Sequence, residues 1–220
     1  MQPIQAVLFD LDQTLLDRTT SLKRFLSWQV NTLRLVANSE RQSFIERFIE
    51  LDANGAVWKD VVYRKLIQKF KISKFSEQQL LNSYIQDFNQ FCVAFAGVDS
   101  VIQSLFEAGF SLGLISNGKT PFQENNFQAF GLNPYFSSVI VSEAVGLRKP
   151  QAEIFRLACQ QMDVQPEQCV MIGDNEIADI QGAKQVGMRS ILFDPEQKIP
   201  FTQADHRVQN FEAILAIIKR

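Results

Sequence analysis

Short, continuously apolar runs alternate with segments of helical periodicity along most of this chain. Ala6–Phe9 is the first such run and is typical of a strand that is covered on both faces. Further strands are predicted at residues 112–116, 138–141, 168–172 and 190–193. Helices are predicted between them, at residues 101–108, 120–130, from 150 onward, 177–186 and 211–219.

One long segment departs from this alternation, because between Thr20 and Phe95 only helical patterns occur. Apolar residues recur at helical spacing near residues 22–33 and 44–49, and a third helix is predicted at residues 57–70. A fourth helix is predicted to begin after Ser76, which opens a capping-box pattern and precedes a further apolar stripe. The segment therefore reads as an all-helical insert.

Strands that are separated by helices of about ten residues predict right-handed crossovers and a parallel sheet with helices on both faces. We therefore expect an α/β fold, a doubly wound Rossmann-like parallel sheet with an inserted all-helical domain. Residues 1–16 and 97–220 are expected to form the Rossmann-like core, and residues 17–96 the helical insert.

Composition narrows the choice of function only modestly. The net charge of −2 gives no reason to expect nucleic acid as a partner. A zinc site is not expected, because the chain has one histidine and its three cysteines form no Cys-x-x-Cys. No signal peptide and no membrane span are expected from the sequence, and a cytoplasmic location is therefore the expectation.

Polar residues follow the predicted strands, and in parallel sheets ligands bind beyond the carboxyl ends of the strands. Each residue alone could equally be a turn or a helix cap. Their joint placement favours a functional site made of the residues Asp10, Asp12, Thr14, Ser116, Asn117, Gly118, Lys149, Asp174 and Asp179. Clustered carboxylates repel one another unless a cation lies between them, and oxygen ligands beside a phosphate suit Mg²⁺.

Four motifs of this chain occur in the order known from one enzyme family. They are Asp10-Leu11-Asp12-Gln13-Thr14, Ser116 at a strand end, Lys149, and Gly173-Asp174 continuing to Asp179. On these residues the chain resembles the haloacid dehalogenase superfamily, in particular its phosphatases with an inserted helical cap. The resemblance covers essentially the whole core, and it implies a Mg²⁺-dependent phosphatase that hydrolyses a small phosphomonoester through an aspartyl phosphate. By this family resemblance, the core would be catalytic and the insert would be a cap domain that acts as a specificity lid.

The resemblance also implies a role for each matching residue. Asp10 would be the nucleophile, and Asp12 would protonate the leaving oxygen and then activate water. The metal would be held by Asp10, by the backbone carbonyl of Asp12 and by Asp174. Asp179 would act from the outer shell of the metal or by pairing with Lys149. Glu176 is a further candidate for the outer shell.

Phosphate binding is implied for a second set of residues, namely Lys149, Thr14, Ser116, Asn117 and Gly118. Thr14 would also brace the nucleophile loop, and Asn117 and Gly118 would contribute backbone amides together with Leu11. The insert carries a charge of +4 against −6 for the remainder, which would suit an anionic substrate, although solvated helix faces explain it equally well. Arg18, Lys23 and Arg24 are the first candidates for substrate contacts.

Three alternatives share the fold. A haloacid dehalogenase lacks the acid found here as Asp12, because halide leaves without a proton. A sugar-phosphate mutase resembling β-phosphoglucomutase uses the same four motifs, and a non-catalytic binding protein would need a broken motif. The expected partner is a small phosphorylated metabolite such as a sugar phosphate, phosphoglycolate or a nucleoside monophosphate, with no nucleic acid or membrane. The protein is expected to be a monomer or a homodimer.

Overall fold

The computed structural model describes residues 2–219, and they divide into two compact units. The sheet unit comprises Met1–Asp17 and Val93–Arg220, and the helical unit comprises Arg18–Cys92. Within the described residues, no helix is long and apolar enough to cross a membrane.

The sheet unit is built on one six-stranded parallel sheet, which confirms the predicted α/β Rossmann-like class. The strands are β1 (Ala6–Phe9), β2 (Ser111–Ser116), β3 (Phe136–Val141), β4 (Cys169–Gly173), β5 (Arg189–Phe193) and β6 (His206–Val208). Their spatial order is β3-β2-β1-β4-β5-β6, which is the order expected of a doubly wound sheet. All four residues of β1 are fully buried, as its unbroken apolar run predicts.

Helices alternate with these strands along the sheet unit. They are α5 (Val98–Glu107), α6 (Phe122–Gln128), α7 (Ser142–Val145), α8 (Ala152–Met162), α9 (Gly182–Gln185) and α10 (Glu212–Ile218). One core cluster packs Leu8 of β1 with Phe155 of α8 and Met171 of β4. Aromatic rings also pack around β1, where Phe9 lies 6.5 Å from Phe211 between ring centroids.

The helical unit contains four α-helices, which are α1 (Arg18–Leu33), α2 (Arg41–Asp52), α3 (Lys59–Phe70) and α4 (Glu77–Asp87). The capping box predicted before α4 is confirmed, since Ser76 and Gln79 exchange both side-chain to backbone hydrogen bonds. Buried aromatic residues form the core of this unit, and its helical periodicity thus reflects packing. They include Phe25, Phe44, Phe48, Tyr63, Tyr84 and Phe88.

Two elements of the sheet unit differ from the sequence expectation. The segment predicted as one helix at residues 177–186 is a π-helix over Glu176–Gln181 followed by the short α9. The edge strand β6, which begins at the exposed His206, was not predicted from the sequence. The sequence of β6 has no apolar run, because only Val208 of its three residues is buried.

Candidate active site

The site lies where β1, β2 and β4 end, because these three strands are parallel neighbours in the middle of the sheet. Phe9 at the end of β1 pairs with Leu114 of β2 and with Ile172 of β4. The backbone amide of Asp10 continues the ladder by donating to the carbonyl of Ile172 at 2.9 Å. The residues that follow the three strands are thereby brought to one edge, as predicted.

Three carboxylates converge at this edge. One oxygen from each of Asp10, Asp174 and Asp179 lies within 4.8 Å of the others. Asp10 and Asp179 are buried, while Asp174 is half-buried. Asp179 packs directly over Gly173, where an added Cβ would come within 2.3 Å of the Asp179 carboxylate, so only glycine leaves room at this position.

The π-helix explains how Asp179 returns to the site. Asn175 accepts hydrogen bonds from the amides of Ile177 and Ala178, and these bonds fix the first turn. The amide of Asn175 in turn donates to Asp179 Oδ2 at 3.0 Å. Wide turns of this kind occur frequently at functional sites.

Lys149 is the cation of the cluster. Its Nζ donates to Asp10 Oδ1 at 2.5 Å and lies 2.7 Å from Asp179 Oδ1, and the residue is only 3% exposed. The side chain of Asn117 holds the Lys149 backbone through two hydrogen bonds of 2.9 Å, one to its carbonyl and one from its amide. Asn117 therefore fixes the lysine, a role that its sequence position did not reveal.

The pKa values of three groups in this cluster are shifted from their usual values. Burial raises the pKa of Asp10 to about 7, although the Lys149 ammonium acts in the opposite direction. Burial, followed by the negative charge of Asp10, raises the pKa of Asp174 to about 8. Burial alone would lower the pKa of Lys149, but the carboxylates of Asp10 and Asp179 outweigh it and hold that pKa above its usual value.

This donor set fits a magnesium ion. The cluster offers only carboxylate oxygens, which are the ligands that a hard divalent cation prefers. Three carboxylates share one ammonium, and burial, together with the charges of the neighbouring carboxylates, raises the pKa values of Asp10 and Asp174. A divalent cation would oppose these shifts, because it favours the ionised form of each acid.

A second polar group lies beside the carboxylate cluster and includes a residue that the sequence did not reveal. Gln123 of α6 donates through Nε2 to Asp12 Oδ2 at 3.0 Å and to Ser116 Oγ at 2.8 Å. Gln123 is 2% exposed. The sequence does contain an indication of this role, because Gln123 and Asn126 lie on the same helix face as the buried Phe122 and Phe127. Polar residues at core-facing positions of an amphipathic helix are unusual.

Three further candidates from the sequence have definite places in the structure. The Gly118 amide was expected to face a phosphate, but it donates to Ser142 Oγ at 3.0 Å and is already paired. Thr14 is fully buried, and its amide donates to the Leu11 carbonyl at 3.2 Å, while its predicted contact with phosphate stays a prediction. Glu176 lies outside the carboxylate cluster, because it accepts hydrogen bonds from the Thr202 hydroxyl and the Gln203 amide.

In the helical unit, the three candidates for substrate contacts differ from one another. Arg18 is buried and forms an ion pair with Asp52 at 2.9 Å, which is a structural role that the sequence did not reveal. Lys23 and Arg24 lie on α1 and are exposed. Their proposed contact with substrate stays a prediction.

Comparison with known proteins identifies a matching family and several similar phosphatases. The sequence model of a family described as haloacid dehalogenase-like hydrolase matches residues 7–193. The pyrimidine 5′-nucleotidase PynA of Streptococcus pneumoniae is 30% identical, covering 95% of this chain and 92% of that protein. A glyceraldehyde 3-phosphate phosphatase of Pyrococcus furiosus is 25% identical, covering 100% of this chain and 95% of that protein.

Among solved structures, the fold is similar to that of the HAD-hydrolase YfnB from Bacillus subtilis. The TM-score is 0.77 and the identity 22%, and the match covers all of both chains. That protein was crystallised bound to magnesium. At this level of identity the likeness shows the fold.

Proposed function

The chain belongs to the haloacid dehalogenase-like hydrolase family and is a phosphatase, and we propose that it hydrolyses a small phosphomonoester through an aspartyl phosphate on Asp10. The proposal rests mainly on one observation. Asp10 lies directly after the central strand β1, with its carboxylate bound by the buried Lys149 ammonium and adjoining Asp174 and Asp179. A carboxylate held in this way has one fixed position relative to an incoming phosphate.

In the first step, a carboxylate oxygen of Asp10 attacks phosphorus, and a new O–P bond forms. The bond between phosphorus and the ester oxygen breaks, and its electron pair leaves with that oxygen. Asp12 delivers a proton to the departing oxygen, so that a neutral alcohol is released. Asp12 supplies the acid that this step requires. A dehalogenase lacks an acid at the corresponding position, and the site differs from that of a dehalogenase in this respect.

In the second step, Asp12 accepts a proton from a water molecule as that water attacks phosphorus. The bond between phosphorus and the Asp10 oxygen breaks, and inorganic phosphate and the free carboxylate are regenerated. The same side chain thus acts first as acid and then as base. Two displacements replace one direct attack by water on a phosphate monoester.

Lys149 and Ser116 stabilise the transferring group. The phosphoryl oxygens carry negative charge throughout the transfer, so catalysis depends on positioned positive charge and hydrogen-bond donors. Lys149 supplies a buried ammonium, and Ser116 supplies a hydroxyl at the end of β2. The amide of Asn117 would be a further donor, whereas the Gly118 amide is occupied by Ser142.

Magnesium would be held by Asp10 and Asp174, with Asp179 as the nearest further carboxylate. When bound, it would neutralise charge on the phosphoryl oxygens and on the crowded carboxylates. We propose that activity requires this ion. Removal by a chelator should abolish turnover, and added Mg²⁺ should restore it.

The helical unit is proposed to act as the specificity lid of the enzyme. Phosphatases of small metabolites must exclude bulk water from the reacting group, and inserts often serve that purpose. Nucleoside monophosphates and triose phosphates are the first substrates to test, because the relatives named above include a pyrimidine 5′-nucleotidase and a glyceraldehyde 3-phosphate phosphatase.

The test compares wild type with Asp10→Asn on these esters, on phosphoglycolate and on hexose phosphates, with and without Mg²⁺. Wild type should release phosphate, and Asp10→Asn should lose at least about 10⁴-fold in rate. Asp99→Asn on the exposed face of α5 is the matched control and should behave as wild type. Full activity of Asp10→Asn would contradict the proposal, and isomerisation of a hexose phosphate without phosphate release would favour the mutase alternative.

A further inference from the structure

The side-chain amide of Gln123 joins two residues of the proposed catalytic machinery that come from different strands. Its Nε2 donates to Asp12 Oδ2, after β1, and to Ser116 Oγ, at the end of β2. Gln123 is 111 residues from Asp12 in sequence. The contact therefore exists only because α6 is packed against the strand ends.

The orientation of this amide is determined by its neighbours. A primary amide has two N–H donors on one side and a carbonyl acceptor on the other. Nε2 faces Asp12 and donates to its Oδ2, and this bond is compatible with a proton on the other oxygen, Oδ1. The carbonyl Oε1 in turn accepts from Asn126 Nδ2 at 3.3 Å. Both donors and the acceptor of Gln123 are therefore used.

This arrangement orients the two catalytic groups as well. Ser116 Oγ accepts a hydrogen bond from Gln123, which leaves its own O–H to donate elsewhere. Asp12 Oδ2 is occupied by the amide, which leaves Oδ1 as the oxygen that can carry a proton. Because Oδ2 is held by this hydrogen bond, the Asp12 carboxyl group has one orientation relative to the strand ends.

Gly118 provides the space for this contact. An added Cβ at Gly118 would lie 2.4 Å from Gln123 Cγ, so any larger residue would displace the amide. Each residue of the Ser116-Asn117-Gly118 segment thus has its own role. Ser116 accepts a hydrogen bond from Gln123, Asn117 forms hydrogen bonds with the Lys149 backbone, and Gly118 leaves room for the Gln123 side chain.

We propose that Gln123 is a positioning residue for the phosphatase reaction, which sets the Asp12 carboxyl group for proton transfer to the leaving oxygen and directs the Ser116 hydroxyl toward the transferring phosphate. The inference rests on the proposed function, in which Asp12 gives its proton as the P–O ester bond breaks. Gln123 itself touches no reacting atom.

A positioning role of this kind makes the effect of a substitution depend on the leaving group. An alkoxide must be protonated as it leaves, whereas 4-nitrophenolate leaves without a proton. Loss of the Asp12 orientation should therefore impair hydrolysis of alkyl phosphates much more than hydrolysis of 4-nitrophenyl phosphate. A role confined to folding would lower both rates by the same factor.

The experiment measures kcat/KM of Gln123→Met on 4-nitrophenyl phosphate and on the best alkyl ester of the panel above. Methionine keeps the length of the side chain but has no amide. The alkyl rate should fall about 10²-fold, the cost of a misplaced catalytic group, and at least about tenfold more than the aryl rate. Gln128→Met, at the exposed end of α6, is the control and should leave both rates unchanged.

A second variant covers the case in which Gln123→Met does not fold. Asn126→Ala keeps Gln123 but removes the donor to its carbonyl, and it should give a smaller loss with the same preference for the alkyl ester. Equal losses on both esters, or no loss, would overturn the inference while leaving the proposed function intact. Absence of any turnover by wild type would instead refute the proposed function, and this inference with it.

Discussion

The sheet unit and the helical unit each bury one cluster of charged side chains, and the two clusters have opposite compositions. In the sheet unit, the Lys149 ammonium binds the carboxylates of Asp10 and Asp179, and Asp174 adjoins them. The acids outnumber the base. Burial has the largest effect and raises the pKa of Asp10 to about 7, although the Lys149 ammonium acts in the opposite direction.

In the helical unit, one acid lies between two bases. Asp52 Oδ1 is 2.9 Å from Arg18 Nη2 and 2.5 Å from Lys59 Nζ, and its other oxygen accepts from the Gly55 amide. Burial alone would raise the pKa of Asp52, but Arg18 and Lys59 outweigh it, and the pKa lies below its usual value. Lys59 also lies 5.7 Å from the ring centroids of Trp58 and Tyr84.

The difference distinguishes an ion cluster that stabilises the fold from the cluster that we propose to be the active site. In the helical unit the carboxylate is ionised at neutral pH and fully hydrogen-bonded, as expected of a residue that holds α1, α2 and the loop before α3 together. In the sheet unit the carboxylates are crowded beyond what one lysine compensates. Such crowding is tolerated where a cation or a reaction needs it.

The largest expected effect comes from breaking the structural cluster. Asp52→Asn leaves two buried cations without their counter-ion, and the free energy of unfolding should fall by about 3–5 kcal/mol. Urea denaturation measures it. Glu50→Gln removes an exposed ion pair with Arg47 and is the control, with no measurable change expected. A similar result for both variants would show that the Asp52 cluster is not structural.

Removing the cation of the functional cluster should instead affect catalysis. Lys149→Met should lower kcat by about 10²–10³-fold, because a positioned donor to the transferring phosphoryl group is lost. Steady-state kinetics measures it, and the circular dichroism spectrum checks that the variant is folded. Lys184→Met, which breaks a half-exposed pair with Asp205, should retain wild-type kinetics. Unchanged turnover by Lys149→Met would contradict the distinction between the clusters.

Two acids of the fourth motif should differ in their effect on metal binding. Asp179→Asn removes a carboxylate of the cluster and should raise the Mg²⁺ concentration for half-maximal activity by about 10–100-fold. Glu176→Gln should change it far less, because Glu176 binds Thr202 and Gln203 instead. A magnesium titration of activity measures both. The reverse order of effects would assign the outer metal ligand to Glu176.

The smallest effect concerns pH. The folded-state pKa of Asp52 is depressed, so its stabilising contribution is present above the pKa of the unfolded chain and is lost as the pH falls through the folded value. The difference in unfolding free energy between wild type and Asp52→Asn should be constant above about pH 5 and shrink below about pH 4. Denaturation across this range measures it, and a difference that shrinks already near neutral pH would contradict the assignment.

The strands of the sheet could be predicted from the sequence where they are buried, because a buried strand has a run of apolar residues. Strands β1, β2, β4 and β5 are almost entirely buried and read as apolar runs, and the other edge strand, β3, was found from its mostly buried second half. Strand β6 lies at the sheet edge with His206 and Arg207 exposed, and it has no such run. The π-helix was equally hidden, since it keeps helical apolar spacing and is defined by the bonds of Asn175 and Asp179.

In the site, residues directly after strands were found because topology alone brings them together. Asp10 and Asp174 are examples, whereas Lys149 precedes α8 and was named from the family motif that it matches. Gln123 was missed because its partner Asp12 is distant in sequence and α6 contributes it from a helix face. The pairing of the Gly118 amide with Ser142 was also hidden, since backbone partners of this kind depend on where α7 begins.

The central claim, a phosphoryl group carried by Asp10, is tested most directly with Asp12→Asn and 4-nitrophenyl phosphate. The phenolate leaves without a proton, but hydrolysis of the aspartyl phosphate still needs the base. The account predicts a burst of phenolate close to one equivalent per enzyme, with phosphate on the peptide that carries Asp10. Linear release from the first turnover and no phosphate on that peptide would contradict it.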